Sequence, residues 1–531
     1  MSAKLACATA VAALLVVLAQ PAQAKTLVYC SEGDPDTLNP QLSESGTAID
    51  AAHPLFDQLV EFEHGSTNII PGLAERWDVS QDDTVFTFHL RKGVKFHESS
   101  GFRPTRDFNA DDVLFSVERQ WKDDHPYHRL PGTDFEYFKD MDLPRLLKSV
   151  EKIDDSTVRF TLTEPTAPFL ADMAMDFMSI QSAEYGAAML KTNTPERLDR
   201  EPIGTGPFQF VSYQKDARIE YRSFPRYWRG ASKIDRLVFS INKDPSVRWA
   251  KVKAGECQVM GNPNPADLKA MEADRDITLL HQEGLNVGYL ALNTMRKPFD
   301  DVRVRRAIAM AIDKKGILNA VYHEAGEVAK NPIPPTIWSY NKAVKDYPRD
   351  VAAAKKLMAE SGHADGFVAS LWAMPVTRPY NPNAKRIAEL LQSDLGQIGI
   401  KAQIVTYEWG EYRKRAQAGE GDLVQLGWTG DNGDPDNFLF TLLSCAAARP
   451  GGGNVAKWCN KDFDALVTKA RQTVSKPERT KLYEQAQQIF HDQVPWVPIA
   501  HSVVYQPVSK KVTGFKIDPF GRNIFYPLDM K

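Results

Sequence analysis

The stretch that decides the fold runs from Leu73 to Phe96, and its core reads Phe86-Thr87-Phe88-His89-Leu90-Arg91-Lys92-Gly93-Val94-Lys95-Phe96. In and just before this core, residues alternate in the direction they would face along a strand. Thr84, Phe86, Phe88 and Leu90 would point to one side and the residues between them to the other. A period of two is typical of a half-buried β-strand. The same alternation returns at Val158, Phe160 and Leu162. The sequence therefore predicts β-strands in this part of the chain.

Other segments repeat with the period of a helix. One apolar stripe consists of Val304, Ile308, Ala311 and Ile312, and Asp300 and Asp301 lie near the positive end of that helix. Residues 384–400 and 477–493 are also predicted to be amphipathic helices, the second with Pro477 in its first turn. Strands and helices mix throughout, and no tether-like linker divides the chain. This organisation indicates the α/β class.

The first residues have the pattern of an export leader. Lys4 precedes a largely apolar run from Leu5 to Leu18, and Ala22-Gln23-Ala24 fits a small-residue cleavage site. The run is too short to cross a bilayer, which takes about 20 apolar residues. We therefore expect an exported protein whose signal peptide, residues 1–24, is cleaved after Ala24.

Length and charge restrict the possible functions. The chain has 531 residues and a formal net charge of −3. This length suggests two or three domains, at about 100–200 residues each. Because lysines and arginines are scattered and form no basic block, the charge pattern argues against nucleic-acid or anionic-membrane binding. Small solutes fit the composition better.

The cysteines favour disulfides. Cys7 lies in the predicted leader, which leaves Cys30, Cys257, Cys445 and Cys459. An even number in an exported chain favours disulfide bonds, but four cysteines permit three connectivities that the sequence does not separate. The spacing lacks the CxxC pairs of a zinc site.

Candidate binding residues occur in a glycine- and aspartate-rich segment, Gly427-Trp428-Thr429-Gly430-Asp431-Asn432-Gly433-Asp434-Pro435-Asp436-Asn437-Phe438. An aromatic residue beside a carboxylate-bearing loop, such as Trp428 with Asp431, suits an ammonium group. Arg378, about fifty residues upstream, has the guanidinium fork that suits a carboxylate. Together they predict a zwitterionic ligand.

The same segment has two other interpretations. Asp431, Asp434 and Asp436 could ligate calcium, but their order is not that of an EF-hand and the twelfth-position glutamate is missing. A turn built from Asx, Gly and Pro residues would explain Gly433 to Asn437, and Asp431 could still contact a ligand. We expect no metal site. Nucleophile-elbow, zinc-protease and phosphate-loop motifs are also missing from the sequence, so we expect no enzyme.

Three stretches together resemble a known family. They are Leu73–Phe96, the segment from Gly427 to Phe438, and Trp372-Ala373-Met374-Pro375-Val376-Thr377-Arg378-Pro379-Tyr380-Asn381-Pro382-Asn383. From Lys25 to the C-terminus the chain resembles the bacterial extracellular solute-binding proteins of family 5, and among them the dipeptide-binding subgroup of ABC importers. The resemblance implies a two-lobed periplasmic binding protein fold, type II, cluster C, with an extra subdomain in the first lobe.

The resemblance also implies a site. Asp431 would bind the α-ammonium group of a dipeptide and Arg378 its α-carboxylate. The remaining site residues would line the pocket or pair with the ligand backbone: Trp428, Thr429, Gly430, Glu44, Ser45 and Gly46. Glu44 departs from the pattern, since a threonine is expected there. Backbone contacts could survive this change, whereas a hydroxyl contact could not.

The resemblance to this family also implies the bounds of the domains. We expect lobe I at residues 25–283, with an inserted subdomain at about 60–191, lobe II at 284–501, and a C-terminal return to lobe I at 502–531. Glycines flank an apolar run at 284–289, which predicts the first crossing between the lobes. The resemblance adds a second crossing near residues 500–504 and supports the pairs Cys445–Cys459, which are close in sequence, and Cys30–Cys257.

The function implied is that of a monomeric periplasmic receptor. It would capture dipeptides between two closing lobes and deliver them to an inner-membrane ABC permease, without a cofactor. Other ligands or roles within the family are tripeptides or longer peptides, haem, nickel chelates and signalling to a chemoreceptor. From a different class, a periplasmic peptide hydrolase is the rival.

Overall fold

The computed structural model describes residues 24–130 and 132–531. The predicted leader, residues 1–24, lies outside this part of the chain except for Ala24. None of the helices within the described ranges has the length and apolar character that crossing a bilayer requires.

The strands of the described residues are as follows, in chain order: β1 (Thr26–Ser31), β2 (Val60–Phe62), β3 (Ile69–Pro71), β4 (Ala74–Val79), β5 (Val85–Leu90), β6 (Leu147–Asp154), β7 (Thr157–Leu162), β8 (Phe208–Gln214), β9 (Arg218–Ser223), β10 (Arg236–Ile241), β11 (Val259–Met260), β12 (Ile277–Glu283), β13 (Asn286–Leu292), β14 (Gly326–Val328), β15 (Phe367–Trp372), β16 (Ile400–Val405), β17 (Leu423–Thr429), β18 (Trp496–Ser509), β19 (Val512–Thr513) and β20 (Asp529–Met530).

The α-helices of the same residues are α1 (Gly46–Ala52), α2 (Ala110–Trp121), α3 (Glu136–Asp140), α4 (Leu143–Leu146), α5 (Phe169–Met173), α6 (Ala183–Lys191), α7 (Arg197–Arg200), α8 (Pro245–Lys253), α9 (Leu268–Glu272), α10 (Val302–Ala311), α11 (Lys314–Ile317), α12 (Val351–Glu360), α13 (Ala384–Gly396), α14 (Trp409–Ala418), α15 (Asp436–Leu443), α16 (Lys461–Gln472) and α17 (Lys476–Gln493).

A long strand, β18, joins two groups of strands. Its first half pairs with β13, and its second half pairs with β11 and β12, all antiparallel. On one side the order continues through β1, β10, β9 and β8, and on the other through β13, β17, β15 and β16. Since β12 leads through Gly284 and Leu285 into β13, the chain passes between the two groups at two adjacent points. We keep the names lobe I and lobe II for the predicted ranges, 25–283 with 502–531, and 284–501.

The segment quoted first forms a separate antiparallel sheet. Its order is β4-β5-β7-β6, and Phe86 stands opposite Phe160 while Phe88 stands opposite Val158. All four side chains are buried in the core. The predicted alternation at 84–90 and 158–162 is therefore confirmed as β5 and β7. This sheet lies within the range predicted for the subdomain, 60–191, whose limits stay a prediction.

The predicted helices form, with one change of length. α10 carries the predicted apolar stripe as far as Ala311, whereas Ile312 is its extended C-cap residue, and α17 has Pro477 in its first turn. The helix predicted at 384–400 ends at Gly396, because Gly399 takes a left-handed φ of 84° and Ile400 begins β16.

Two disulfides fix loops on the two lobes. The structure pairs Cys30 at the end of β1 with Cys257, and Cys445 with Cys459. These are the two pairs that the resemblance supports. The second closes a short loop directly after α15, the helix that follows the candidate site segment.

Candidate functional site

A cavity of about 150 Å³ lies between the two lobes. It is lined by seven of the eight predicted site residues: Glu44, Ser45, Gly46, Arg378, Trp428, Thr429 and Asp431. Gly430 does not line it, and the Phe438 ring lies where a side chain at this position would go. The cavity is thus built from the start of α1 on one side and from the end of β17 and the 375–383 loop on the other.

Asp431 is positioned by one buried amide. The Asn437 side-chain oxygen accepts hydrogen bonds from the Asp431 N–H at 3.0 Å and from the Trp428 indole N–H at 2.8 Å. Before them, the Gly430 N–H donates to the Leu285 carbonyl at 2.7 Å, which ties the loop to the first crossing. A single side chain on α15 therefore sets both the aromatic wall and the carboxylate.

Asp431 is an acid without a cation among its hydrogen-bond partners in the described chain. It is half-buried at the edge of the cavity, and the Tyr137 hydroxyl from α3 donates to its carboxylate. Burial raises the pKa of Asp431 to about 7, although the Tyr137 hydrogen bond opposes this shift. An ammonium group that donates to a carboxylate in this environment would strongly stabilise its charged form.

Arg378 is held by a tight turn and by lobe I. Its backbone exchanges hydrogen bonds with Asn381 at 3.0 and 3.1 Å. Its Nη1 donates to Glu32 Oε1 and its Nη2 to Thr47 Oγ1, both at 2.8 Å, and Thr47 in turn donates to Glu32. Burial, the largest single influence, lowers the pKa of this guanidinium, but Glu32, Tyr380 and Asp50 together outweigh burial and raise it. Arg378 therefore stays charged inside the protein.

Both charged groups thus contact lobe I across the cavity. Glu32, Thr47 and Tyr137 were missed by the sequence analysis. Glu32 directly follows β1, which pairs in parallel with β10 and β11, and the carboxyl ends of parallel strands are common binding positions. Because this pairing is known only from the structure, the sequence did not identify Glu32, and nothing in the local sequence marks Tyr137.

The remaining lobe I residues face the cavity from the start of α1. The Ser45 hydroxyl accepts from the Trp409 indole N–H at 3.3 Å rather than capping its own helix. A side chain at Gly46 would meet no atom within 4 Å, so its backbone is open to the cavity. The Glu44 side chain is buried beside Arg413 and Gln417.

The other aspartates of the loop have arginine partners. Asp434 pairs with Arg479 at 2.7 Å, and Asp436 pairs with Arg471 at 3.2 Å. The Asp434 N–H donates to Asn432 Oδ1 and the Asp436 N–H to Asp434 Oδ1, both at 2.9 Å. These are the Asx turns that the structural interpretation of the segment predicts. The two carboxylates therefore shape the loop, and Asp431 alone faces the cavity.

The fold and this interlobe cavity define a class of protein, the two-lobed solute-binding proteins. Residues 68–450 match the family described as bacterial extracellular solute-binding proteins, family 5. The chain belongs to this family. The predicted α/β fold of a periplasmic binding protein is confirmed.

Three similar proteins illustrate the range of this family. The dipeptide-binding protein of Escherichia coli is 56% identical over 96% of this chain and 95% of its own length. A haem-binding protein A of Haemophilus influenzae is 52% identical over 94% of this chain and 91% of its own. The crystal structure of a Pseudoalteromonas dipeptide-binding protein in complex with Met-Leu has a TM-score of 0.93 and 39% identity, and covers 96% of this chain and 100% of that one.

Proposed function

We propose that this protein is a periplasmic receptor that captures dipeptides between its lobes and delivers them intact to an inner-membrane ABC permease. The observation that carries the proposal is the pair of opposite charges in one interlobe cavity, Asp431 and Arg378. Asp431 binds the α-ammonium group of the ligand and Arg378 its α-carboxylate. Trp428 and Thr429 line the space between them, and the backbone at Ser45 and Gly46 pairs with the peptide.

Ligand length follows from geometry. Each added residue lengthens an extended peptide by about 3.3–3.6 Å. Two charged groups on a rigid frame therefore match one separation between the ends of a ligand. Similarity to a dipeptide-binding protein along almost the full chain supports the same choice of ligand.

The location and partners follow from the leader and the family. The leader exports the chain and is removed after Ala24, so the mature protein acts in the periplasm, and we propose that it acts there as a monomer. The permease recognises the closed, loaded form. A chemoreceptor could recognise the same form.

A ligand panel tests this function. Thermal unfolding is followed with a dipeptide, a tripeptide and haem, and the dipeptide should give the largest stabilisation. A ligand that binds only the folded state at a hundredfold excess over its Kd adds about 2.7 kcal/mol to the free energy of unfolding. Amino-acid analysis of the same mixture should find no free amino acids, whereas a peptide hydrolase would release them. Stabilisation by haem or the tripeptide alone would contradict the proposal.

Ligand entry requires the lobes to part. The contacts between the lobes in the structure include the ion pair of Arg378 with Glu32 and a hydrogen bond from Asn432 to Asp172, both at 2.8 Å. A saturating dipeptide should therefore make the molecule more compact, because it adds a second set of contacts between the lobes. Small-angle scattering should show a smaller radius of gyration than with a doubly blocked dipeptide. An unchanged profile with demonstrated binding would mean that the lobes are closed without ligand.

A further inference from the structure

Glu44 is the site residue that departs from the family resemblance, and its environment indicates what it does. It directly precedes Ser45 and α1, lines the interlobe cavity, and its side chain is 4% exposed. A carboxyl group here is almost inaccessible to bulk water. Its partners must therefore come from the protein or from the ligand.

The protein supplies only part of what this carboxyl group needs. Glu44 Oε2 accepts from Arg413 Nη2 at 3.4 Å and from Gln417 Nε2 at 3.5 Å, both long for hydrogen bonds. Within residues 24–130 and 132–531, no donor reaches Glu44 Oε1. This buried oxygen beside the cavity therefore has no donor from the protein other than a proton shared with the neighbouring carboxyl group of Asp140.

Arg413 is shared among several acids. Its Nη2 donates to Glu136 at 3.0 Å, and its Nη1 lies 3.3 Å from Asp36. Both of these distances are shorter than the one to Glu44. The guanidinium therefore leaves much of the Glu44 charge uncompensated.

A second acid, Asp140, lies within hydrogen-bonding reach of Glu44. Asp140 already accepts from Arg449 and from the Gly453 N–H. Lys457, a further cation near Asp140, donates to the Arg449 carbonyl at 2.8 Å rather than to Glu44. The four acids of this cluster, Asp36, Glu44, Glu136 and Asp140, thus exceed its three cations, Arg413, Arg449 and Lys457.

The pKa values of the acids in this cluster reflect its excess of acids over cations. Burial, followed by the nearby Asp140 and Glu136 carboxylates, raises the pKa of Glu44 well above its usual range. Burial raises the pKa of Asp140 to about 7. Near neutral pH the two carboxyl groups therefore hold a proton that a bound cation could replace.

We propose that Glu44 selects dipeptides that carry a cationic side chain. This inference rests on the proposed function and names its preferred ligands. A lysine ammonium or arginine guanidinium brings the donors that Glu44 Oε1 lacks and the positive charge that the cluster lacks. Leu442 and Val455 also line the cavity and suit the methylene stem of such a side chain.

Calorimetry on matched dipeptides tests this inference. The probes are Lys-Ala and Ala-Lys, each with its norleucine counterpart, which keeps the apolar stem and removes the charge. In at least one of the two positions the native protein should bind the lysine peptide about tenfold more tightly. In Glu44→Gln the same ratio should fall to within about twofold, since the amide keeps the shape and loses the charge.

Glu411→Gln is the control, because Glu411 is exposed on α14, the helix that carries Arg413, and does not line the cavity. This variant should keep at least about half of the native preference. A native preference below twofold in both positions, or its equal loss in Glu411→Gln and Glu44→Gln, would overturn the role of Glu44. Binding of Ala-Ala to the native protein is measured in parallel. If Ala-Ala fails to bind, the proposed function itself is wrong, and if it binds without a lysine preference, only this inference is wrong.

Discussion

Acetylating the amino group of a dipeptide should weaken its binding by more than about a hundredfold at pH 8, which corresponds to about 3 kcal/mol or more. The acetylated ligand leaves Asp431 ionised with only the Tyr137 hydroxyl as a side-chain partner. Because the pKa of Asp431 is raised to about 7, the carboxyl group takes up a proton as the pH falls. Affinity for the free dipeptide should therefore fall from pH 8 to pH 5.5, and the penalty of acetylation should shrink with it.

Amidating the ligand carboxylate should cost less, about tenfold or more, because Glu32 and Thr47 continue to bind Arg378. Asp431→Asn and Arg378→Lys should reproduce the two losses, since neither the amide nor a lysine ammonium replaces the original group. Asp365→Asn and Arg386→Lys, both at exposed positions, are the controls. If calorimetry finds that both blocked dipeptides bind within about threefold of the free one, Asp431 and Arg378 do not bind the ligand ends.

Arg471→Met should lower the free energy of unfolding by about 3–5 kcal/mol at pH 8. Arg471 lies on α16 with its side chain 2% exposed, and it pairs with the fully buried Asp436 at the start of α15. Its guanidinium also packs over the Phe440 ring at 4.2 Å. Removing the arginine leaves a buried charge without its partner at the base of the site loop.

Urea denaturation checks this prediction, with Arg415→Met as the control. Arg415 pairs with Glu411 at 2.5 Å on the surface of α14, and exposed pairs contribute about 1 kcal/mol or less. Burial raises the pKa of Asp436 to about 6 even beside Arg471, above the value of about 3.9 in an unfolded chain. Folded protein therefore binds the extra proton as the pH falls, and the loss in Arg471→Met should be smaller at pH 5 than at pH 8. A loss that is below 1 kcal/mol at pH 8, or the same at both pH values, would mean that Asp436 does not depend on Arg471.

Local sequence patterns were sufficient for the main elements of the fold. The alternation at 84–90 and 158–162 predicted β5 and β7. A strand that is buried on one face has apolar side chains at every second position. The end of α13 was placed too late, since Ile398 continues the helical spacing of Leu391 and Leu395, whereas Gly399 takes a left-handed φ and Ile400 begins β16.

Some residues of the candidate site could be predicted from the sequence, and others could not. Arg378 and the 427–438 segment were recognisable because charged and aromatic residues lie beside glycines and prolines in short stretches. Glu32, Tyr137 and Asn437 became visible only in three dimensions, since each acts on a residue brought to it by the fold. The importance of Glu44 likewise depends on Asp140 and Arg413, which are distant in sequence.

The most direct test of the account is a crystal structure of the protein with one dipeptide such as Ala-Phe. We expect the ligand to lie between the lobes, with its ammonium nitrogen about 3 Å from the Asp431 carboxylate and its carboxylate at the same distance from the Arg378 guanidinium. The peptide bond should be intact. Electron density for a dipeptide outside this cavity, or inside it with either charged end away from these two residues, would contradict the central claim.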